Sequence, residues 1–382
     1  MMKTVAVVDA QNYSPEVLHT ALREGLSLLL PQGLEAMIKP NDTVAIKVNM
    51  LMGKTPERAI TTHPGLVREV CLLVKECGGK AVIIDSPGGP YTIGALKRAY
   101  EKCGFAAVAE ETGAALNFDT SVVKVHDPRH PEYGTAMLLS PAVNAALIIN
   151  MPKLKTHGLT ILTCAAKNMF GLVPGLTKID YHLRYPAIGD FCRTLVQIAE
   201  LTQPELTIVD AVEAMEGEGP SSGTPKHCGA LLLSRDMHAL DVVAAQIMGL
   251  DPQTVPTIEA AQALGLLSAS LAEITLLGKK PAVTPFVTPN VGRRPSFLRR
   301  LGSSPLARAL ALHLKPRLAF DGEKCISCGI CVESCPPQAM LLTQNSLPQV
   351  DMNKCISCFC CQELCPEHAV LVQKSWLSKV IR

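Results

Sequence analysis

The chain has 382 residues, 48% of them hydrophobic and 18% charged, with a formal charge of +2. That composition excludes a disordered chain and is too long for one typical core, so two or three domains are expected. Aromatic residues make up 4%, too few for a stacking surface that binds single-stranded nucleic acid.

No apolar run reaches the ~18–20 residues of a membrane span. The start, MMKTVAVVDAQ, has a four-residue apolar stretch before Asp9 and lacks the longer apolar region of a secretory leader. A cytoplasmic protein without transmembrane segments or nucleic-acid partners is therefore expected.

Short apolar runs alternate with helical patterns through the first part of the chain. Strands are predicted at 4–8 (TVAVV), 43–48 (TVAIKV), 81–84 (AVII), 145–149 (AALII), 206–209 (LTIV) and 230–234 (ALLLS). A helix over GLVREVCLLVKECGG is stopped by Gly78 and Gly79. Further helices are predicted at 93–103, 190–201 and 239–248, with a hairpin between 117 and 139. Strands alternating with helices define the fold class as α/β, with a largely parallel sheet covered by helices.

Charge is distributed unevenly. Residues 279–319 carry nine Lys or Arg and no Asp or Glu, and 320–382 carry five basic and six acidic residues; the other 22 basic and 28 acidic residues lie in 1–278. The chain is read as an α/β domain (1–278), a basic linker (279–319) and a cysteine-rich domain (320–382). The linker is expected to be solvated, or to lie against anionic clusters, an acidic partner or an anionic membrane.

Cysteine spacing carries the strongest chemical signal. Of 15 cysteines, six are scattered (Cys71, Cys77, Cys103, Cys164, Cys192, Cys228) and suit small buried positions, while nine crowd between Cys325 and Cys365. KCISCGICVESCPP at Lys324 and KCISCFCCQELCPE at Lys354 repeat with a shift of 30. Each reads C-x-x-C-x-x-C-x-x-x-C-P, the run in which three thiolates wrap one 4Fe–4S cube and the fourth serves the other cube.

The first cluster is assigned to Cys325, Cys328, Cys331 and Cys365, and the second to Cys355, Cys358, Cys361 and Cys335; Cys360 is a bystander. Zinc would need two ligand pairs, and disulfides do not suit the compartment. A hairpin is predicted between the runs. From about Phe320 to Val372 the segment resembles the two-cluster bacterial ferredoxins, a small α+β fold, and its all-cysteine ligation implies low potentials.

In the α/β part, apolar runs end in polar residues: Asn49 (with Lys47 just inside), Asp85, Asn150 and Asp210. In an open parallel sheet the carboxyl ends of strands share one edge, where ligands bind. The block NMPKLKTHG adds Lys153, Lys155 and His157. A helix is predicted to start near Thr156 to Gly158, its amino terminus suiting an anion. On that reading Lys153, Lys155 and His157 share one anionic ligand, and Lys167 and Asn168 lie roughly 15 Å farther on. A loop over 210–225 offers Glu213, Glu216 and Glu218 for acid–base chemistry; it is neither a Walker loop nor a dinucleotide fingerprint.

At KVNM, TTHPGLV, NMPKLKTHGLT, AAKNMFGLVPG, IVDAVEAMEGEGPSSG and SRDMHALDVVAAQIMG the chain resembles the family of domain of unknown function 362, over about 3–275. The resemblance implies iron–sulfur electron transfer and brings no substrate or catalytic residues. The expectation is an electron-transfer protein with two 4Fe–4S clusters, an anionic ligand near Lys47, Asn49, Asp85, Asn150, Lys153, Lys155, His157 and Asp210, and a redox partner protein or reducible small molecule. The alternatives are a non-catalytic carrier or redox sensor, and a structural tail beside non-redox chemistry.

Overall fold

The computed structural model describes residues 3–268, 270–279, 282–289, 315–343 and 346–373. Most of the basic linker, 290–314 included, lies outside the described residues.

The strands of the large unit are β1 (Lys3–Asp9), β2 (Thr43–Val48), β3 (Lys80–Ile84), β4 (Ala115–Leu116), β5 (Val122–His126), β6 (Thr135–Leu139), β7 (Leu147–Met151), β8 (Lys153–His157), β9 (Ile161–Thr163), β10 (Leu206–Glu216), β11 (Thr224–Ser234) and β12 (Ile274–Gly278). They form one sheet in the order β12-β1-β11-β10-β7-β2-β3-β4, apart from the separate β5–β6 hairpin and the β8–β9 hairpin attached to β10. The run β10-β7-β2-β3-β4 is parallel, as expected. β11 is antiparallel to both β10 and β1, so the sheet is mixed on that side.

Strand alternation sends side chains to two apolar layers. Val44, Ile46, Val48, Leu147 and Ile149 face one layer, built with α1 (Pro15–Leu29), α2 (Pro64–Glu76), α3 (Ile93–Lys102) and α4 (Phe105–Thr112). Ala45, Ile148, Val209 and Leu232 face the other. That layer includes α5 (Ser140–Val143), α6 (Ala165–Asn168), α8 (Ile188–Thr202), α9 (Met237–Ile247) and α10 (Pro256–Ala263); α7 (Thr177–Arg184) packs at its rim through Tyr181. The sheet is thus covered on both faces, the α/β architecture read from the sequence.

Two local readings are corrected. Residues 153–157 form strand β8, not a helix start. KLKTH repeats with period two, which puts Lys153, Lys155 and His157 on one face, and β8 pairs with β10 in parallel and β9 in antiparallel. The β8–β9 turn then folds the chain back on itself, so Lys167 and Asn168 return toward β8 instead of running away along a helix. The second correction concerns 210–225: β10 continues to Glu216 and β11 resumes at Thr224, so this is a long hairpin closed by a short loop.

That loop clamps β8. Gly158 N–H donates to Gly219 O at 3.1 Å, and Thr156 Oγ1 donates to Gly217 O at 2.9 Å. A Cβ on Gly219 would stand 2.2 Å from the Thr156 carbonyl oxygen, a backbone atom that cannot move aside.

In the tail, β13 (Arg317–Phe320) pairs with β16 (Val370–Gln373), and β14 (Met340–Leu341) with β15 (Gln349–Val350), the hairpin expected between the runs. Two one-turn helices, α11 (Ile330–Glu333) and α12 (Cys360–Glu363), follow the cysteine loops. The 30-residue repeat is written in the backbone as well. Positive φ recurs at Ser327 and Ser357, at Gly329 and Phe359, and at Gln338 and His368.

Gly219→Ala is expected to destabilise the protein by about 1–3 kcal/mol through overpacking. Urea unfolding followed by circular dichroism checks this; an unchanged midpoint would show that the loop does not clamp β8.

Candidate functional site

The tail contains two cavities, each lined by four of the nine crowded cysteines. One holds Cys325, Cys328, Cys331 and Cys365; the other holds Cys335, Cys355, Cys358 and Cys361. Each quartet takes three cysteines from one run and the fourth from the other. Cys360 lines neither cavity and is buried.

The surroundings suit thiolates. Ala339 N–H donates to Cys335 Sγ and Ala369 N–H to Cys365 Sγ, both at 3.3 Å, and Ser357 N–H donates to Cys355 Sγ at 3.4 Å. Amide donors aimed at sulfur favour its anionic form. Four soft thiolates around one hollow, with amides behind them, fit an iron–sulfur cube.

In the large unit, the expected ligand residues do not converge on one ligand. They form three groups. The first is a closed polar core. Lys153 Nζ lies 2.7 Å from Asp210 Oδ2 and 2.9 Å from the Tyr13 hydroxyl, which donates to Asp210 Oδ1 at 2.7 Å. His63 N–H donates to Asp210 Oδ2 at 2.8 Å, Glu213 N–H donates to the Tyr13 oxygen at 3.0 Å, and the His63 and Tyr13 rings stack at 3.5 Å. Tyr13 uses its donor and both acceptor positions internally. Burial first, then the Asp210 charge, drives its pKa far up. This group is a sealed structural network.

The second group centres on Lys47, buried and 3.0 Å from Asp85 Oδ1. Asp85 also accepts from Met50 N–H at 2.5 Å and Ser86 N–H at 2.7 Å. Burial pushes Lys47 down while Asp85 pulls it up. Lys178 donates to Ser86 O at 2.6 Å, and desolvation lowers it to about 7.

The third group is different. Lys155 is fully buried and donates to Asn49 Oδ1 at 2.7 Å and Ile60 O at 2.8 Å, both neutral acceptors. Asn49 Nδ2 donates to Asn168 Oδ1, and Asn168 Nδ2 to Asn150 Oδ1, at 2.9 and 2.8 Å. Burial, then repulsion from Lys167 and Lys153, drives Lys155 well below the usual lysine range.

His157, next on the same strand face, accepts at Nδ1 from Leu159 and Thr160 N–H at 3.0 and 3.3 Å. Its proton therefore sits on Nε2, 3.1 Å from Oε1 of Glu363 in α12. Desolvation, then Lys167, lowers His157 to about 4, and burial likewise lowers His182 to about 4. Burial raises Glu363, but His157, Lys167 and His182 outweigh it and hold its carboxyl at about 2.

Glu363 is therefore a carboxylate of the tail seated among lysines and histidines of the large unit, and the contact extends around it. Lys54 Nζ donates to Pro366 O at 2.7 Å, Ser222 Oγ meets His368 Nδ1 at 2.9 Å, and Gln362 Nε2 reaches Glu218 at 3.5 Å. The loop between β10 and β11 thus holds the tail. Nor do its glutamates form an acid–base pair: Glu213 meets His227 at 2.6 Å and Glu216 meets Lys226 at 2.7 Å, across the β10–β11 hairpin.

No helix starts at 156–158, where an anion-holding terminus is expected from the sequence; the next helix start is occupied from inside. α6 starts at Ala165, and Asp241 accepts from Ala165 and Ala166 N–H at 2.6 and 3.2 Å. Residues missed by sequence reasoning are Tyr13, His63, His182, Lys178, Asp241 and Glu363. For Glu363 the available signal was its place between Cys361 and Cys365, in a run already tied to redox chemistry.

An α/β sheet joined to a cysteine-lined tail defines an iron–sulfur protein, and comparison with known proteins agrees. A family model described as "Domain of unknown function (DUF362)" matches residues 44–246, and one described as "4Fe-4S dicluster domain" matches 317–366. The chain belongs to the family of domain of unknown function 362.

It is similar to the "Thylakoid-associated protein sll1697" of Synechocystis sp., 35% identical over 281 residues, covering 72% of this chain and 83% of that protein. Among solved structures, the lactate racemase apoprotein from Thermoanaerobacterium thermosaccharolyticum matches at 12% identity and a TM-score of 0.41, over 65% of this chain and 58% of that one. No helix among the described residues is long and apolar enough to cross a membrane.

The two lysines of β8 respond unequally to loss of charge. Lys153→Met strands the buried Asp210 and should cost about 3–5 kcal/mol, whereas Lys155→Met removes a buried cation that lacks a bonded carboxylate and should change stability by less than about 1 kcal/mol. Urea midpoints of the two variants check this contrast; similar losses would contradict it.

His63, His157 and His182 are each held near 4, against 6.5 for an ordinary ring. The unfolded chain takes up these protons first, so the stabilisation is complete above pH 6.5 and is lost as pH falls toward 4. Melting temperatures across that window check the sign.

Proposed function

We propose that the protein is a two-cluster iron–sulfur electron-transfer protein. On this reading its tail exchanges electrons with an anionic ligand, or with a redox partner, at the basic seat of the α/β unit. The first cube takes Cys325, Cys328, Cys331 and Cys365, and the second takes Cys355, Cys358, Cys361 and Cys335. When bound, each cube accepts or releases one electron at a time. The chain divides into the α/β domain 1–278, the basic linker 279–319 and the cluster domain 320–382.

One observation carries the reading: α12, which contains Cys361, presses Glu363 into the seat formed by Lys155, His157, Lys167 and His182. Glu363 also lies near enough to Cys358 to oppose its thiolate. The second cube thereby stands beside the basic seat, while Cys328 is exposed on the first cube's side, where a redox partner can reach it.

The roles of chain residues follow from their contacts. Lys155 and Lys167 supply positive charge; His157 presents an N–H; Asn49, Asn150 and Asn168 hold Lys155 in place. Oxidoreductase activity and a cytoplasmic setting belong to this proposal. The carrier alternative differs in one result, since it needs no small molecule at the seat.

Anaerobic protein should contain about eight irons and eight sulfides per chain, the content of two cubes. Cys358→Ser and Cys328→Ser should each remove one of two distinct electron paramagnetic resonance signals of the reduced protein. Four irons or fewer after full reconstitution would contradict the two-cube assignment. The enzyme reading is tested by mixing dithionite-reduced protein with a panel of small carboxylic acids bearing reducible groups. Reoxidation that Lys155→Met slows at least tenfold supports it; no reoxidation by any of them leaves the carrier.

A further inference from the structure

Two carboxylates meet cations in the large unit, and they are held differently. Asp210 accepts three directed hydrogen bonds, from Tyr13, His63 and Lys153. Glu363 Oε1 lies 3.1 Å from His157 Nε2, yet neither atom makes a hydrogen bond. The pair is close enough for charge attraction but off the bonding direction. His157 is 1% exposed, so its N–H is a buried donor aimed into the seat without a fitted acceptor.

The charges of the seat point the same way. Lys155 bonds to neutral oxygens alone. The Lys167 ammonium has no hydrogen bond or ion pair among the described residues, and Glu363 is the leading negative charge acting on it. Lys155 and Lys167 repel one another, and both repel a proton on His157. A single imperfectly aligned carboxylate therefore answers a seat built from two lysines and two histidines. Its side chain is 13% exposed, so solvent reaches it from one side.

We propose that Glu363 is a built-in surrogate for the carboxylate of a small organic acid, and that this acid binds in the same seat when Glu363 leaves it. The seat donates the His157 Nε2–H and the Lys167 ammonium to the acid, backed by the Lys155 charge. The resident glutamate acts as an internal competitor: apparent affinity is reduced by the fraction of molecules in which it occupies the seat. Because Glu363 sits on α12 between Cys361 and Cys365, occupancy by the acid shifts the helix that carries a cluster ligand. The relevance of that shift to electron transfer rests on the proposed function, whereas the seat itself does not.

Glu363→Ala leaves a hole the size of a short carboxylic acid, so acetate is the probe. In full-length, iron-loaded protein, acetate at about ten times its Kd should raise the melting temperature of Glu363→Ala by roughly 2–5 °C relative to chloride at equal ionic strength. The melting temperatures of the wild type, and of Glu363→Gln with its hole filled, should not rise measurably. The double variant Lys155→Met/Glu363→Ala should lose at least half of the rise.

An iron-replete Glu363→Ala that ignores acetate would overturn the proposal. If that variant does not retain its iron, the wild type decides. Amide exchange over 355–373 should quicken at least twofold with acetate and not with chloride, and exchange that is indifferent to acetate overturns the proposal equally. Either failure leaves the two-cube electron-transfer reading standing, because iron content and reduced spectra do not depend on acetate.

Discussion

The molecule is organised by the burial of three nitrogen bases on one short strand. Lys153, Lys155 and His157 occupy alternate positions of β8, face the same way, and are all removed from water. A charge in the interior is costly unless it is paired or neutralised, so each position forces a local solution. At Lys153 it is the Asp210–Tyr13–His63 network, which ties β1's following segment and α2's amino end to β10. At Lys155 it is a relay of asparagine amides from three segments. At His157 it is a carboxylate brought by the tail. One strand thus joins the sheet edge, the amide cluster and the cysteine-rich segment.

This arrangement explains how a small tail is held on a large sheet. The tail has its own core, in which Met340, Ala369 and Val370 pack with buried cysteines. Its attachment uses few directed bonds: Lys54 to Pro366, Ser222 to His368 and Gln362 to Glu218. Leu364 fills the space over Gly88, where an added Cβ would come within 2.3 Å of its Cδ2. The contacts cluster on residues 362–368, which follow Cys361 of the second quartet and surround Cys365 of the first, while Cys328 of the first quartet is exposed.

Much of this was legible in the sequence, and the rest was hidden for identifiable reasons. The cysteine quartets could be read because ligand spacing is local and chemically demanding. The α/β class could be read because β2, β3, β7 and β10 are apolar runs. The hairpin at β8 was missed because Lys153, Lys155 and His157 read as anion ligands in front of a helix start, although K-L-K-T-H already alternates with the period of a strand. That error displaced Lys167, which the hairpin returns to the seat. Asn49, Asp85 and Asn150 lie at or just beyond the ends of β2, β3 and β7, whereas Asp210 sits inside β10, and long-range partners that no local pattern announces divide the four among three networks. Tyr13 and Glu363 are the clearest cases, meeting residues about 200 positions away.

The central claim is that the second quartet, once it holds its cube, stands against His157. Nitrogen-15 resonances of histidine-labelled, cluster-loaded protein test this most directly, because a paramagnetic cube broadens and shifts nearby rings. The account predicts a broadened, shifted His157 signal in the reduced protein that sharpens in Cys358→Ser. A sharp, unshifted His157 signal in reduced protein with both cubes in place would contradict it.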